Sequence, residues 1–184
     1  MADSLDWAVA ERYIKQAYPH ESGHILVGRL LGLKVSGLAH EVIRGRNNEI
    51  LPGNFITASM APPSPEVVRM SPPAVLRAYA FFVSGGLAGN LVANIPADDN
   101  GLQKDRADLA LVSTNSLEEV ARMAMPTIER NMEMFLNLRE AFQSSYENLI
   151  SDPNVLAGRH SLLTNGQLEA ICPQNKTRFP MFFQ

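Results

Sequence analysis

Two histidines four residues apart, with a glutamate beside the first, stand near the start of the chain: His20-Glu21-Ser22-Gly23-His24, opening the apolar run Ile25-Leu26-Val27-Gly28-Arg29-Leu30-Leu31-Gly32-Leu33. On an α-helix, residues four apart lie one above the other, so His20 and His24 can aim two imidazole nitrogens at one point. That point can hold a metal ion. Glu21, about 100° further round the helix, is awkward as a third ligand but can reach a water bound to the ion. Two histidine ligands, a carboxylate base and an open coordination position are the parts of a zinc hydrolase. Between His24 and Lys34 the only charged residue is Arg29, so the helix should be buried on most sides. His20 and His24 share a face with Val27 and Leu31, which points them toward a core. Buried imidazoles and carboxylates are costly unless paired or metal-bound, and a Zn²⁺ site is the expectation over a metal-free polar cluster.

Catalytic zinc takes three protein ligands, so one must come from elsewhere. Leu30 stands where metzincin spacing would place a third histidine. Glu41, Glu49 and Glu66 fall in an expected hairpin and loop, and His160 is supported by no spacing. The acidic cluster Asp98, Asp99, Asp105 and Asp108 is the best remaining source.

The elements that must position these residues are mostly helical. Leu5 to Ala17 has helical spacing in Trp7, Ala10, Ile14 and Ala17, with Asp3 or Ser4 as cap. Pro19 is expected to interrupt or kink the chain there, leaving His20 at the beginning of the metal helix. Val35–Ala39 and Asn54–Ala58 are short strand candidates, separated by the polar turn Arg44–Asn48 and by Pro52-Gly53; they form the only expected sheet. Ala61–Pro65 should be an irregular loop. Ser71-Pro72 should start a long helix through Asn94, and the stretch Pro96–Gly101 should break the chain before a segment whose spacing puts Asp105 and Asp108 on one face. Ser116 with Glu119 and Thr164 with Gln167 make two capping boxes. Between them Ala121, Ala124, Ile128, Met132, Phe135, Leu138, Phe142 and Leu149 form one core stripe, which Pro126 should bend or split.

The 184 residues suit a single domain spanning 1–184, with 46% hydrophobic and 19% charged residues as in ordinary globular proteins. A net charge of -3 offers no electrostatic footprint for nucleic acid. A lone cysteine, Cys172, fits a reducing cytoplasm, and the acidic first residues do not read as a secretory signal. Ala78 to Ala97 carries no charge, but Asn90, Asn94, Ser84 and its glycines favour a buried helix over a membrane span.

The motif His20–His24 with its apolar helix, then Gly85-Gly86 opening an Ala/Gly-rich segment, then Gly101-Leu102-Gln103-Lys104-Asp105, resembles the peptidase domain of the FtsH-type membrane-bound AAA+ proteases. That family carries a HEAGH-like motif, a GGR-x-A-E-E segment and a T-G-A-x-x-D segment whose aspartate is the third zinc ligand. The resemblance implies that Asp105 joins His20 and His24 on Zn²⁺, with Glu21 as the catalytic base. It also implies a substrate-binding strand in the Asn54–Ala58 stretch, and Leu163–Glu169 is similar to the family's C-terminal L-D-G-E-E-type helix start. Leu87 and Asn90 replace the family's Arg and Glu, the sequence contains no Walker A motif, and no transmembrane anchor is expected. The expectation is therefore a mainly α (α+β), helical zincin-like domain with a small β-hairpin or sheet beside the metal helix. Its function would be that of a soluble zinc metalloendopeptidase cleaving peptides or unstructured protein segments without its own ATPase, with a separate ATPase as candidate partner. The alternative is a non-proteolytic zinc-binding interaction module derived from such a peptidase, its tail Phe179–Phe183 serving as a docking segment or packing back on the domain.

Overall fold

The apolar run after His24 builds a longer helix than the sequence suggests. In the computed structural model, which describes residues 7–44, 50–58, 65–97, 99–152 and 154–179, α1 runs unbroken over Trp7–Leu30 with Pro19 inside it. The expected break therefore does not occur, and His20 and His24 lie in the helix interior. An internal proline costs a helix about 3 kcal/mol by removing one N–H and crowding the preceding turn. Burial on both sides offsets this: Ala17 and Tyr18 precede the proline, and Ile25, Leu26 and Val27 follow it with no exposed surface. Asn90 Nδ2 also donates to the Gln16 carbonyl at 3.3 Å, beside the weakened turn. The proposed caps Asp3 and Ser4 lie outside the described residues.

Among the described residues nine further elements follow: β1 (Gly37–Arg44), β2 (Ile50–Ala58), α2 (Pro65–Met70), α3 (Pro73–Val92), α4 (Asp99–Ala110), α5 (Leu117–Glu129), α6 (Met132–Ser151), β3 (Gly158–Leu163) and α7 (Asn165–Ile171). The architecture is mainly helical with one small antiparallel sheet, an α+β arrangement. Its strand order is β2-β1-β3, so β2 and β3 are the edges. β2 extends the foreseen Asn54–Ala58 backwards, so Pro52-Gly53 lies inside it rather than in a turn, while β1 is longer than the foreseen Val35–Ala39 and displaced along the chain, leaving Val35 and Ser36 outside it. Pro52 pairs with Val42 beside a register shift between His40 and Val42, where an edge strand tolerates a residue without an N–H. The expected polar turn falls mostly on residues 45–49, outside those described. The third strand was not foreseen, because Gly-Arg-His-Ser-Leu-Leu has no clean alternation. α2 is likewise an addition, and residues 61–64 of the expected loop lie outside the description.

The core lies between α1, α3, α5 and α6, with the sheet packed against α1 and α6. α3 is long and apolar enough to cross a bilayer, yet most of it is buried within the protein. Both capping boxes form, at Ser116 and at Thr164. Pro126 is accommodated inside α5, and the split comes later, at Arg130-Asn131. Ala121, Ala124, Ile128, Phe135, Leu138 and Phe142 of the stripe are buried, with Met132 and Leu149 packed at its margin. Phe142 stacks edge-on against Tyr18 of α1 and Phe55 of β2, at 4.9 and 5.0 Å between ring centroids, tying helices to sheet. His40 of β1 is enclosed between Phe55 and Tyr146; burial, with His160 opposite, pushes its imidazole down to about 4, so it is neutral at neutral pH.

The end of α1 is held by a buried cation. Arg29 is fully enclosed and donates to the Cys172 and Val35 carbonyls, each at 2.5 Å, and to the carboxylate of Glu169. Gln174 donates to the carbonyls of Arg29 and Leu33, and Asn175 to that of Leu30, so the C-terminal segment caps α1. Gly32, with φ of 87°, closes the helix by a left-handed turn, with Leu33 N–H on Gly28 O and Gly32 N–H on Arg29 O. Phe179 packs back against this corner and is buried; the rest of the tail lies outside the described residues. Replacing Arg29 by Met strands two buried carbonyls and should cost about 3 kcal/mol in unfolding free energy, whereas Glu169→Gln should cost about 1 or less because that carboxylate is partly exposed. Urea midpoints at unchanged slope measure both; a loss below about 1 kcal/mol for Arg29→Met would contradict the assignment.

Candidate metal centre

The site begins with the separation of α1 and α3. A β-carbon on Gly23 would stand 2.0 Å from the Gly85 carbonyl oxygen, and one on Gly89 would stand 2.2 Å from that of Pro19. No side chain fits at these contacts, so glycine lets the two backbones touch. The closeness brings the Phe82 carbonyl of α3 to His24: Nδ1 of His24 donates to it at 2.7 Å. A carbonyl only accepts, so Nδ1 carries the hydrogen and, in neutral His24, Nε2 is bare. That bare nitrogen faces His20 Nε2 at 3.0 Å.

The third group arrives on α4. Asn94, at φ 54°, ends α3 with Ile95 N–H on Asn90 O and Asn94 N–H on Leu91 O, the left-handed closing motif in which asparagine replaces glycine. The chain reverses there, and α4 returns with Asp105 buried against both histidines. Its Oδ2 lies 3.3 Å from His20 Nε2 and 3.4 Å from His24 Nε2. Three ligand-type atoms thus form a triangle with edges of 3.0, 3.3 and 3.4 Å, close to the roughly 3.3 Å between ligand atoms of a tetrahedral ion bound at about 2.0–2.1 Å. His20, His24 and Asp105 are a group able to hold a metal ion.

Electrostatics favour a cation at this point. Asp105 Oδ2 is buried with no hydrogen bond of acceptable geometry. Burial by itself would lower the His24 imidazole and raise the Asp105 carboxyl; their mutual attraction outweighs both. His24 is held up at about 9, with Glu21 and the Phe82 carbonyl adding to the effect of Asp105. Asp105 is held well below the usual carboxylate range by His24 and His20. Two facing nitrogens and a carboxylate need positive charge between them, supplied by a proton when no metal is bound.

Glu21 stands outside the triangle, yet its charge acts on His24. Its Oε2 accepts a hydrogen bond from the Thr57 hydroxyl on β2 at 2.5 Å. Asp108 is on the same helix as Asp105 but pairs with Lys104 at 2.7 Å. His160, on β3, is occupied with the Leu156 carbonyl just before that strand. Glu41 and Glu66 are exposed, and Glu49 and Asp98 lie outside the described residues. Asn90 bonds the Gln16 carbonyl rather than a histidine, and the acceptor for His24 is a backbone oxygen that no side-chain pattern announces. Thr57 and Gly86 were missed as well. Gly86 lies where a β-carbon would stand 2.5 Å from both His20 Nε2 and His24 Nε2, and its only sequence signal is the Gly85-Gly86 pair.

No protein-family model, curated protein or solved structure matches this chain. The site's geometry alone carries its reading.

Two measurements check that geometry. Gly86→Ala should fold, because the histidine rings can shift, but should weaken divalent-metal affinity by at least tenfold in a competition titration with a colorimetric chelator; unchanged affinity would show that Gly86 does not border the site. The second is the stability of chelated, metal-free protein against pH. His24 has a raised folded-state value, so its contribution is fully present below about 6.5 and is lost as pH rises through about 9. Asp105 is lowered, so its contribution is present above the ordinary carboxylate value and lost toward acid. Wild type should therefore lose stability between pH 6 and 9.5 by denaturant titration, and Asp105→Asn should lose markedly less; equal slopes would break the pair.

Proposed function

We propose that the chain is a zinc-dependent metalloendopeptidase acting on extended peptides or unstructured protein segments, with a zincin-like site of the FtsH type. The observation that carries this reading is the convergence of His20 Nε2, His24 Nε2 and Asp105 Oδ2 within 3.0–3.4 Å of one another, with the Glu21 carboxylate held beside the triangle and outside it. Two imidazoles and one carboxylate suit zinc and leave coordination positions free for water and substrate. Bound there, zinc supplies Lewis-acid chemistry, bringing a water's pKa down toward about 7 and polarising a carbonyl oxygen.

The chain's own residues do the rest. The Phe82 carbonyl fixes the His24 tautomer so that Nε2 is the ligand atom. Asp105 balances part of the cation's charge. Glu21, too distant to ligate, accepts the proton of the attacking water and returns it to the departing amine nitrogen. The edge strand β2 runs past Glu21 and offers one side of its backbone to an extended chain, which would lie across the base. Such a substrate must be unfolded locally, since a folded segment cannot add to a strand edge.

Elemental analysis of purified protein should find about one zinc per chain in wild type and a small fraction of that in Asp105→Ala. Glu21→Gln should keep the zinc and lose about 10²–10⁴-fold in cleavage of a fluorescently labelled unfolded casein. Zinc retention by Asp105→Ala would move the third ligand elsewhere. Zinc binding without any cleavage by wild type would favour the non-proteolytic module.

A further inference from the structure

The Glu21 side chain has three rotatable bonds and sits half-buried on the flank of α1, where nothing in the helix itself fixes it. Among the described residues, its one hydrogen-bond donor is the hydroxyl of Thr57, at 2.5 Å from Oε2. The donor belongs to a different element, the edge strand β2, thirty-six residues further along the chain. A carboxylate has two oxygens, and this contact takes only one. Oε2 is engaged with the sheet, and this contact leaves Oε1 to other partners.

We infer that Thr57 is a positioning residue: its hydroxyl locks Glu21 in the rotamer that presents Oε1 to the water-binding side of the His20–His24–Asp105 group. The inference rests on the hydrolase reading and deepens it, because the strand that would align an extended substrate is also the one that aims the base. Substrate register and base orientation then share one rigid reference, β2, which pairs with β1 through Leu38 opposite Thr57. A Glu side chain carries substantial rotamer entropy, and a single charge-assisted hydrogen bond is strong enough to hold one rotamer against it. Without it the carboxylate samples several rotamers, and misplacement of a base by about 1 Å is costly in rate.

The test uses Thr57→Val, which keeps the β-branched shape of the strand and removes the donor, and Thr57→Ser, which keeps the donor. Glu21 is half-exposed, so water can solvate the freed oxygen and the fold should survive. In metal-free protein, three-bond couplings about χ1 and χ2 of Glu21 should report one rotamer in wild type and Thr57→Ser and averaging in Thr57→Val. Averaging already in wild type, or a locked Glu21 in Thr57→Val, overturns the inference whatever the activity. With zinc loaded and a labelled unfolded casein, Thr57→Val should lose roughly ten- to hundredfold in kcat with KM within about twofold, and Thr57→Ser should recover most of it. Equal losses in both variants, or no loss in Thr57→Val, would also overturn it. A wild type that binds zinc, locks Glu21 and cleaves nothing would bring down the peptidase reading while leaving the Thr57–Glu21 lock in place.

Discussion

The contact between the backbones of α1 and α3 is the constraint on which the rest of the molecule depends. Gly23, Gly85 and Gly89 remove every side chain from the crossing, and carbonyl oxygens of one helix rest against the α-carbons of the other. Any β-carbon there would drive the helices apart, and interiors packed at crystalline density do not absorb such a shift cheaply. With the helices separated, the Phe82 carbonyl would leave His24, and both imidazoles would lose the wall that Gly86 provides. The site is thus a by-product of how closely two main chains can approach.

What occupies that approach is electrostatically unusual for a core. Most of the residues around α1 and α3 are aliphatic or aromatic, yet His24 and Asp105 are buried among them. Their mutual attraction outweighs burial and shifts the imidazole up and the carboxyl down. An arrangement of this kind is poorly suited to stability alone, since an apolar replacement of similar volume would avoid desolvating two ionisable groups. It matches instead a group able to hold a metal ion, with two imidazole nitrogens and a carboxylate oxygen within 3.0–3.4 Å of one another.

Two peripheral devices keep the arrangement in place. At one end of α1, Arg29 and the segment Gln174-Asn175 tie the helix terminus to α7, the buried guanidinium satisfying the Cys172 and Val35 carbonyls and the Glu169 carboxylate. At the middle of α1, the sheet presses Phe55 and Thr57 of β2 toward the core and toward Glu21. The sheet is small, but the aromatic cluster of Phe55, Phe142, Tyr146 and Tyr18 anchors it to α6 and α1. Its neutral buried histidine, His40, is held by the same aromatic enclosure.

Local chemistry made a good part of this legible from the residues. Spacing of four placed His20 and His24 on one face because helical geometry is set within a single turn. The capping boxes at Ser116 and Thr164 were readable because each satisfies orphan N–H groups three residues away, and the α5–α6 stripe because burial follows the helical period. Predictions failed where distant contacts outweighed local preference. Pro19 did not end α1, since burial on both sides exceeded the cost of one lost hydrogen bond, and β3 formed from an unpatterned segment because β1 offered it an edge. From the residues alone, the third group beside the histidines stayed open among four aspartates, and a family resemblance pointed to Asp105. The structure separates Asp105 from Asp108 by their partners: Asp105 lies against both imidazoles, whereas Asp108 pairs with Lys104. Phe82, Thr57 and Gly86 take their roles from a backbone carbonyl, a strand hydroxyl and a missing side chain, each defined only by what another element brings near it. The sequence by itself determined the two imidazoles and their shared face; only tertiary structure decided what meets them, because that depends on how closely two glycine-lined helices can pack.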